Sequence, residues 1–436
     1  MSNQITMNQI YKFDTTFNND IANKKIMDAI HNRGLNNFCI NKDVIKENSP
    51  EFNIELIETK RMDQKDSLRC WIYSGLNFIK RNIAENLDID VLNFNLSPTF
   101  IAFYDRLEKA NSFYNYAIHK NLDYKKIDKD TFFNEPATEK GRFELFRAII
   151  NKYGIVPYNI MKDTKDSLNS ETLNLLFNEK VKKDCIKLMN CKKVGDDCYK
   201  LKDKLLYEDY EFLCKIIGQP AKSFNFSYTN LKNEKVILKN VTPLEFKEKF
   251  LSIDLNQFIS IVNIEKHDKQ LYKKYIKKLS GNVYRKSYMN YINLPIERLK
   301  ELATNQLKDG MPVIFDCETM KFRDKTSGVL DTRLYEYNKF LPFNELSRTE
   351  SLNFKDIFAR HVMTFTGVQI KDSKTIRWKV EDSYGDKEKF NGYYIMNDNW
   401  FEKFVVSIIV DKKYLNNKEL EIYNSEPIKI YTFGVL

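Results

Sequence analysis

The stretch Gln64-Lys65-Asp66-Ser67-Leu68-Arg69-Cys70-Trp71 places an amide side chain six residues ahead of a cysteine. After this cysteine the apolar side chains recur at the spacing of one helix face, at Ile72, Tyr73, Leu76 and Ile79. Cys70 is therefore predicted to open a helix, where free backbone N–H groups and the helix dipole favour a thiolate. Gln64 is then a candidate to donate, with the backbone N–H of Cys70, to a developing oxyanion. The alternative is that Cys70 is a small buried apolar residue.

Two stretches near the other end of the chain supply further residues that a cysteine nucleophile needs. His361-Val362-Met363-Thr364-Phe365-Thr366-Gly367-Val368 is predicted to be a strand that begins with a histidine. Trp378-Lys379-Val380-Glu381-Asp382-Ser383-Tyr384-Gly385 follows it. In the order glutamine, cysteine, histidine and carboxylate, the chain resembles the papain-like cysteine peptidases, and most of all the aminopeptidase C and bleomycin hydrolase family. That family has Trp-Lys-Val-Glu-Asn-Ser-Trp-Gly where this chain has Trp378 to Gly385.

The resemblance implies a catalytic role for four residues. Cys70 would be the nucleophile, His361 its general base and acid, Asp382 the group that orients the histidine, and Gln64 an oxyanion donor. Because Asp382 stands where the family has asparagine, a negative charge would also stabilise the imidazolium of His361. Tyr384, which replaces the family's tryptophan, is expected to expose the contact between Asp382 and His361 slightly more.

The fold class implied by the resemblance is α+β, with a helical lobe carrying the cysteine and an antiparallel β lobe carrying the histidine. Positions 70 and 361 are much farther apart than the about 130 to 150 residues that papain-like enzymes need between them. We therefore expect a large insertion and predict four regions: an N-terminal arm (1–60), the helical lobe (61–160), a mainly helical insertion (161–309) and the β lobe with a C-terminal arm (310–436). In the family, an insertion of this kind mediates assembly into a hexamer.

The resemblance also predicts the substrate and its specificity. Peptides would be cleaved through a thioester on Cys70. The carboxylate of Leu436, at the end of a C-terminal arm, would pair with the free ammonium of the peptide and so limit the enzyme to N-terminal residues. Endopeptidase activity is the alternative within the family. In the loop Thr138-Glu139-Lys140-Gly141-Arg142, side chains stand where the family has a glycine-rich edge of the cleft.

A basic composition leaves a second class of function open. Seventy Lys and Arg residues exceed sixty Asp and Glu residues, which gives a net charge of +10 and mildly favours acidic partners. Residues 269–291 interleave lysines and arginines with tyrosines, so they are the best candidate for contacts with nucleic acid. A solvated surface is the preferred interpretation of this segment. The alternative function is a non-catalytic nucleic-acid-binding or scaffold protein on the peptidase fold, but the joint presence of Gln64, Cys70 and His361 favours an enzyme.

The remaining sequence features predict a cytoplasmic protein without a cofactor. The N-terminus lacks the pattern of a signal peptide, and no apolar run approaches the ~18 residues of a membrane span. Seven cysteines without framework spacing are interpreted as reduced thiols. Four of them lie close together in sequence, but without Cys-x2-Cys pairs they are expected to pack in the core rather than bind zinc: Cys185, Cys191, Cys198 and Cys214.

Overall fold

A computed structural model describes residues 4–119, 131–266, 268–278, 280–385 and 392–430, and it combines helices with one large sheet. The helices are α1 Met7–Asn19, α2 Ile21–Arg33, α3 Leu35–Cys39, α4 Lys42–Glu47, α5 Cys70–Leu87, α6 Pro98–His119, α7 Thr131–Asn134, α8 Phe143–Tyr153, α9 Lys165–Leu168, α10 Glu171–Val194, α11 Cys198–Ile217, α12 Pro243–Phe250, α13 Ile296–Lys308, α14 Tyr337–Phe340, α15 Arg348–Asn353, α16 Asp398–Phe404 and α17 Asn417–Asn424. No helix within these ranges is both long enough and apolar enough to cross a membrane.

The strands are β1 Ile54–Glu55, β2 Phe224–Thr229, β3 Lys235–Val241, β4 Phe258–Val262, β5 Lys273–Lys277, β6 Met289–Asn293, β7 Val313–Cys317, β8 Arg323–Asp324, β9 Val329–Leu330, β10 His361–Lys371, β11 Lys374–Glu381, β12 Tyr393–Asn397, β13 Val405–Asp411 and β14 Ile428–Ile430. Hydrogen bonds connect them in the order β14-β5-β6-β4-β13-β7-β10-β11-β12-β9-β8, with β1 added beside β10. β2 and β3 form a separate hairpin. The sequence order of the strands is scrambled in the sheet, so most of its register depends on contacts between distant segments.

The buried apolar side chains form two cores, and the helix that begins at Cys70 belongs to the first. The first core is formed mainly by α5, α6, α8, α10 and α11. The second lies around the sheet, where Phe315 of β7 stacks on Phe365 of β10 with ring centroids 3.8 Å apart. Helix α5 also contacts the sheet, because Ser74 donates to the carbonyl oxygen of Val362 in β10 at 3.0 Å. This contact fixes the start of α5 against the strand that begins with His361.

The predicted helical insertion at residues 161–309 differs from the structure in its second half. The segment is helical through α11, but β4, β5 and β6 join the main sheet. β4 pairs antiparallel with β13 from Ser407↔Val262 to Asp411↔Phe258. Every residue of β4 is buried, as expected for a strand covered on both faces. Sequence spacing alone could not reveal this, since the partner strand comes about 150 residues later.

Residues 269–291, expected to form a solvated, partly stacked surface, are exposed at positions such as Lys273 and Arg285 but are partly buried in the sheet. They contain β5 and β6, which pair antiparallel, and Tyr275 stacks on Tyr291 with ring centroids 5.6 Å apart. Both of these tyrosines are buried. Their apolar ring area was decisive, because burying an aromatic side chain outweighs the solvation of the lysines around it.

The N-terminal 60 residues combine an exposed part with a packed part. None of the residues of α1 or α2 is buried. Further along, β1 pairs with β10 through Ile54↔Val368, and Cys39 and Val44 are buried. The predicted N-terminal arm is therefore peripheral only in its first two helices.

The packing of α5 against α8 can be tested by a substitution at Gly75. A methyl group at this position would lie 2.7 Å from ring carbons of Phe146 in α8. At an open helical position Ala would stabilise by about 1 kcal/mol over Gly, whereas overpacking costs about 1–3 kcal/mol. We therefore expect Gly75→Ala to lower the free energy of unfolding, measured by urea titration.

The matched pair Glu85→Gly and Glu85→Ala, at an exposed position of the same helix, gives the intrinsic difference between these residues. If Gly75→Ala stabilised the protein as much as Ala does at position 85, the close contact of α5 with α8 would be contradicted.

Candidate active site

The segment ahead of Cys70 is anchored by a buried carboxylate, Glu139. Its Oε2 accepts the backbone N–H of Leu68 at 3.0 Å, and its carbonyl oxygen accepts the indole N–H of Trp71 at 2.9 Å. Burial raises the pKa of Glu139, but Arg106 and Arg69, with hydrogen bonds from Ser170 and Leu68, lower it to about 2. The ionised side chain of Glu139 thus holds the residues before Cys70, and its backbone holds the residue after it. Sequence reasoning noted this residue only as part of a loop, because its partners are 71 and 68 residues away.

Cys70 is the first residue of α5, as predicted. The preceding Arg69 gives the helix no side-chain cap, and its carbonyl oxygen accepts only the N–H groups of Ile72 and Tyr73, so it caps neither Cys70 nor Trp71. The guanidinium of Arg69 is buried and pairs instead with Glu139 and Asp163, at 3.5 and 3.4 Å. The positive end of the helix is therefore available to an anion beside Cys70.

Gln64 is buried beside Cys70 and lines the same cavity. Its Nε2 donates to the carbonyl oxygen of Ser67 at 2.8 Å, and its backbone N–H donates to the carbonyl oxygen of Ser383 at 2.8 Å. A carboxamide nitrogen carries two hydrogens, so one hydrogen remains for a second acceptor. The backbone bond also joins the Gln64 segment to the segment of Asp382.

His361 begins β10 and connects the sulfur to a carboxylate. Its Nε2 lies 2.7 Å from Oδ1 of Asp382. That nitrogen is occupied, so Nδ1 is left for the hydrogen bond between His361 and Cys70. Both His361 and Asp382 are buried, with side chains 9% and 1% exposed. The structure therefore brings together Gln64, Cys70, His361 and Asp382, the four residues singled out from the sequence.

Charge stabilises this arrangement. Burial lowers the pKa of His361, but the Asp382 carboxylate and the hydrogen bond with Cys70 raise it to about 10. Burial raises the pKa of Asp382, but His361, Arg323 and the N–H of Ser383 lower it to about 2. An imidazolium paired with a carboxylate is thus favoured over the neutral pair throughout the neutral range.

That Tyr384 exposes the contact between Asp382 and His361 slightly more than a tryptophan would stays a prediction. The contact between Asp382 and His361 is not exposed, because the ring of Tyr384 stacks on the imidazole with centroids 5.8 Å apart and an interplanar angle of 25°. A bridge between Asp63 and Tyr384 holds this segment against the one that precedes Cys70. A smaller aromatic ring therefore still covers the histidine.

Arg323 is a charged partner of the site that sequence reasoning missed. Its Nη2 lies 3.1 Å from Oδ2 of Asp382, on the side of the carboxylate away from His361. The guanidinium also lies over the ring of Tyr394, 4.3 Å from its centroid. A buried carboxylate in place of a carboxamide requires a compensating cation, so Asp382 itself was the available signal. No motif marked Arg323, which lies on the two-residue strand β8.

A cavity of about 870 Å³ opens in front of these residues. Gln64, Cys70 and His361 line it together with Lys140 and Gly141 of the loop before α8. A methyl group on Gly141 would lie 2.4 Å from the ring of Trp71, so this loop sits directly against the helix of the nucleophile. This edge of the cavity is therefore formed both by side chains, such as that of Lys140, and by the backbone at Gly141.

Leu436 lies outside the described residues. The described chain ends at Ile430 of β14, which pairs in parallel with β5 in the register Ile430↔Lys277. Lys277 lines the cavity. The last described residue is therefore paired with the rim of the cleft.

Removing the charge of Asp382 should shift the ionisation of His361. Iodoacetate is an anion, and its reaction with Cys70 should fall as the imidazolium loses its proton. We expect this alkaline fall to move to lower pH in Asp382→Asn, by on the order of 1–3 pH units, because a nearby opposite charge favours the charged form. Arg323→Met should move it to higher pH, because the carboxylate then acts on His361 alone. Peptide mass spectrometry of the labelled Cys70 measures both.

Asp43→Asn, at an exposed residue paired with Lys46, is the matched control and should leave the profile unchanged. Coincident profiles for wild type and Asp382→Asn would contradict the role of this carboxylate.

The chain is similar to known proteins over nearly its whole length. The model of the peptidase C1-like family matches residues 4–435. Aminopeptidase C of Listeria monocytogenes is 30% identical, with 99% of this chain and 98% of that protein covered. Aminopeptidase C of Lactobacillus helveticus is 31% identical, with 95% and 93% covered.

A solved structure gives the same result. The crystal structure of PepW from Lactobacillus rhamnosis matches with a TM-score of 0.93 and 30% identity, and 100% of both chains is covered. The residues that match the family model include the helix that begins at Cys70 and the strand that begins at His361. The hydrogen-bonded pair of Cys70 and His361 therefore lies within the matched region. This chain belongs to the peptidase C1-like family.

Proposed function

We propose that this protein is a cysteine aminopeptidase that releases N-terminal residues from peptides. The observation that carries the proposal is the buried chain of contacts from Cys70 through His361 to an ionised Asp382, at the wall of a cavity large enough for a peptide. A thiolate is the nucleophilic form of cysteine, and an imidazolium beside it supplies the proton that a leaving amine needs.

The reaction follows from this geometry in two steps. The sulfur of Cys70 attacks the carbonyl carbon of the peptide, and the carbonyl oxygen takes up the electron pair and accepts hydrogen bonds from the Cys70 backbone N–H and Gln64. The C–N bond breaks, His361 gives its proton to the leaving amine, and a thioester remains. His361 then takes a proton from water as the hydroxide attacks the thioester. The C–S bond breaks, the acid and the Cys70 thiolate are released, and His361 is again an imidazolium.

The second part of the proposal concerns the fold. We propose that the two apolar cores are the lobes of a papain-like fold, one carrying the cysteine helix and the other the histidine strand. In this proposal the lobes comprise residues 61–160 and 310–436, and β4 to β6 extend the second lobe. The helical part of residues 161–309 is then the insertion, which serves assembly. This division is supported by the two cores, because the apolar residues of α5 belong to the first core and most of those of β10 belong to the second.

Aminopeptidase specificity rests on the C-terminal arm. From Ile430 the last six residues can reach at most about 20 Å in extended form. Pairing of Ile430 with Lys277 at the cleft supports the proposal that the carboxylate of Leu436 receives the ammonium of the substrate. Without that carboxylate the cleft would suit internal bonds, which is the endopeptidase alternative.

We also propose a cytoplasmic homohexamer of the bleomycin hydrolase type. Helix α1 has no buried residue and exposes several large apolar side chains, namely Met7, Ile10, Tyr11, Phe13 and Phe17. An apolar surface of this kind is typical of an interface between copies. The described cysteines are free thiols, which fits a reducing compartment.

The nucleic-acid alternative loses part of its support. Tyr275 and Tyr291 are buried in the sheet, so they cannot stack on bases. Lys277, from the same segment, lines the peptide cleft instead.

Replacing the nucleophile should abolish turnover. We expect Cys70→Ala to lose hydrolysis of free aminoacyl amides, since Cys70 is the only cysteine among the described residues that line the cavity. Cys317 is a poor control, because it pairs with His361 across β7 and β10. Cys191→Ala, on α10 and away from the cleft, is the matched control and should keep full activity. Full activity in Cys70→Ala would exclude the proposed mechanism.

Shortening the chain should change the specificity. Deletion of Phe433 to Leu436 removes the terminal carboxylate from its place, so we expect weaker hydrolysis of free aminoacyl amides and new hydrolysis of N-acetylated peptides. The ratio of kcat/KM for free and N-acetylated substrates measures this change. An unchanged ratio would show that the chain end does not set the preference for N-termini.

A further inference from the structure

The cavity in front of Cys70 is strongly basic. Among the lining side chains that the structure describes, seven are lysine or arginine, and Glu135 is the only carboxylate. A peptide entering this cavity therefore meets cations on most sides. Low-dielectric walls strengthen such a field over its value in water.

The acids that balance the arginines lie behind them. Arg142 pairs with Asp316 at 3.0 Å, and Arg360 pairs through Nε with Glu318 at 3.0 Å. The side chains of Asp316 and Glu318 are only 6% and 1% exposed. These pairs thus turn their positive ends toward the cavity, and the buried acids fix the guanidinium groups in place.

Arg360 is the cation best placed to bind a substrate. It directly precedes His361 in the chain, and its side chain is 45% exposed. Glu318 takes only the Nε edge, and the guanidinium lies over the ring of Phe358, 4.2 Å from its centroid. A guanidinium fixed on one edge and one face can bind a carboxylate through its two terminal nitrogens at little entropic cost.

Lys140 supplies a second cation on the wall that carries the nucleophile. Its loop packs on Trp71 through Gly141. The Lys140 side chain is 57% exposed, and its ammonium is 3.7 Å from the half-exposed Glu135. A surface pair at that distance contributes little, so Lys140 can exchange this partner for an acidic group of the substrate.

We propose that this cleft selects peptides that carry an aspartate or glutamate side chain next to the scissile bond. Arg360 on the histidine side and Lys140 on the cysteine side bind that carboxylate. Lysine or arginine in the same place is repelled. This inference rests on the proposed function, because it names the substrate class of that same site.

The test compares peptides that differ in one side chain. Two sets of amides carry Glu, Gln or Lys as the first residue or as the second residue after alanine. In at least one set we expect kcat/KM for Glu to exceed that for Gln about tenfold or more, the effect of one charge-assisted hydrogen bond, with Lys the poorest. Arg360→Gln or Lys140→Gln should reduce the Glu to Gln ratio, and Arg360→Lys should restore part of it.

Two controls separate this inference from a general charge effect and from the proposed function. Arg33→Gln and Lys215→Gln remove the same charge at α2 and α11, outside the cleft lining, and should leave the ratio unchanged. Binding of the same peptides to Cys70→Ala, measured by calorimetry, does not need turnover. Equal affinity for Glu and Gln peptides in both sets would overturn the inference even if the enzyme cleaves neutral peptides. Tighter binding of Glu peptides without cleavage by the wild type would uphold it and refute the proposed function.

Discussion

The hydrogen bond between Nε2 of His361 and Oδ1 of Asp382 is the interaction on which the site depends. Both groups are buried, and a buried charge is costly unless it is paired. The carboxylate meets this requirement on two sides, with His361 on one oxygen and Arg323 on the other. Once Asp382 is ionised, the imidazolium is favoured, and the nitrogen facing Cys70 carries a proton.

The two walls of the cleft are held together by a few specific contacts. Glu139 fixes the entry to α5, and the backbone of Gln64 donates to Ser383 next to the carboxylate. Across the cleft, Arg142 donates to the carbonyl oxygen of Ala359 and pairs with Asp316 of β7. Glu139 and Arg142 thus link segments that are distant in sequence. Displacement of either side chain would leave a buried charge unpaired, which is costly in free energy.

Local features of the site could be predicted from the sequence. The start of α5 at Cys70 follows from apolar spacing within the next ten residues, and the strand at His361 follows from its own apolar run. The order of Gln64, Cys70, His361 and Asp382 then predicted that they meet. The structure agrees with the predicted mixture of helices and strands, and the family match agrees with the resemblance.

Features that depend on distant partners could not be predicted. The strands β4 to β6 joined the sheet because β13 offers them an edge, and no pattern near residue 258 names that partner. Arg323 and Glu139 act through contacts with residues dozens of positions away. The cover over His361 depends on how the ring of Tyr384 stacks on the imidazole, which no local pattern in the sequence specifies.

Titration of His361 tests directly whether Asp382 stabilises an imidazolium beside Cys70. The chain has only four histidines, so NMR of isotope-labelled imidazole nitrogens can resolve each one, with a His361→Ala variant for assignment. We expect His361 to stay protonated through neutral pH and to titrate with a pKa of about 10. A pKa of His361 close to the usual histidine value of 6.5 would contradict this expectation, because the buried Asp382 would then not stabilise an imidazolium beside Cys70.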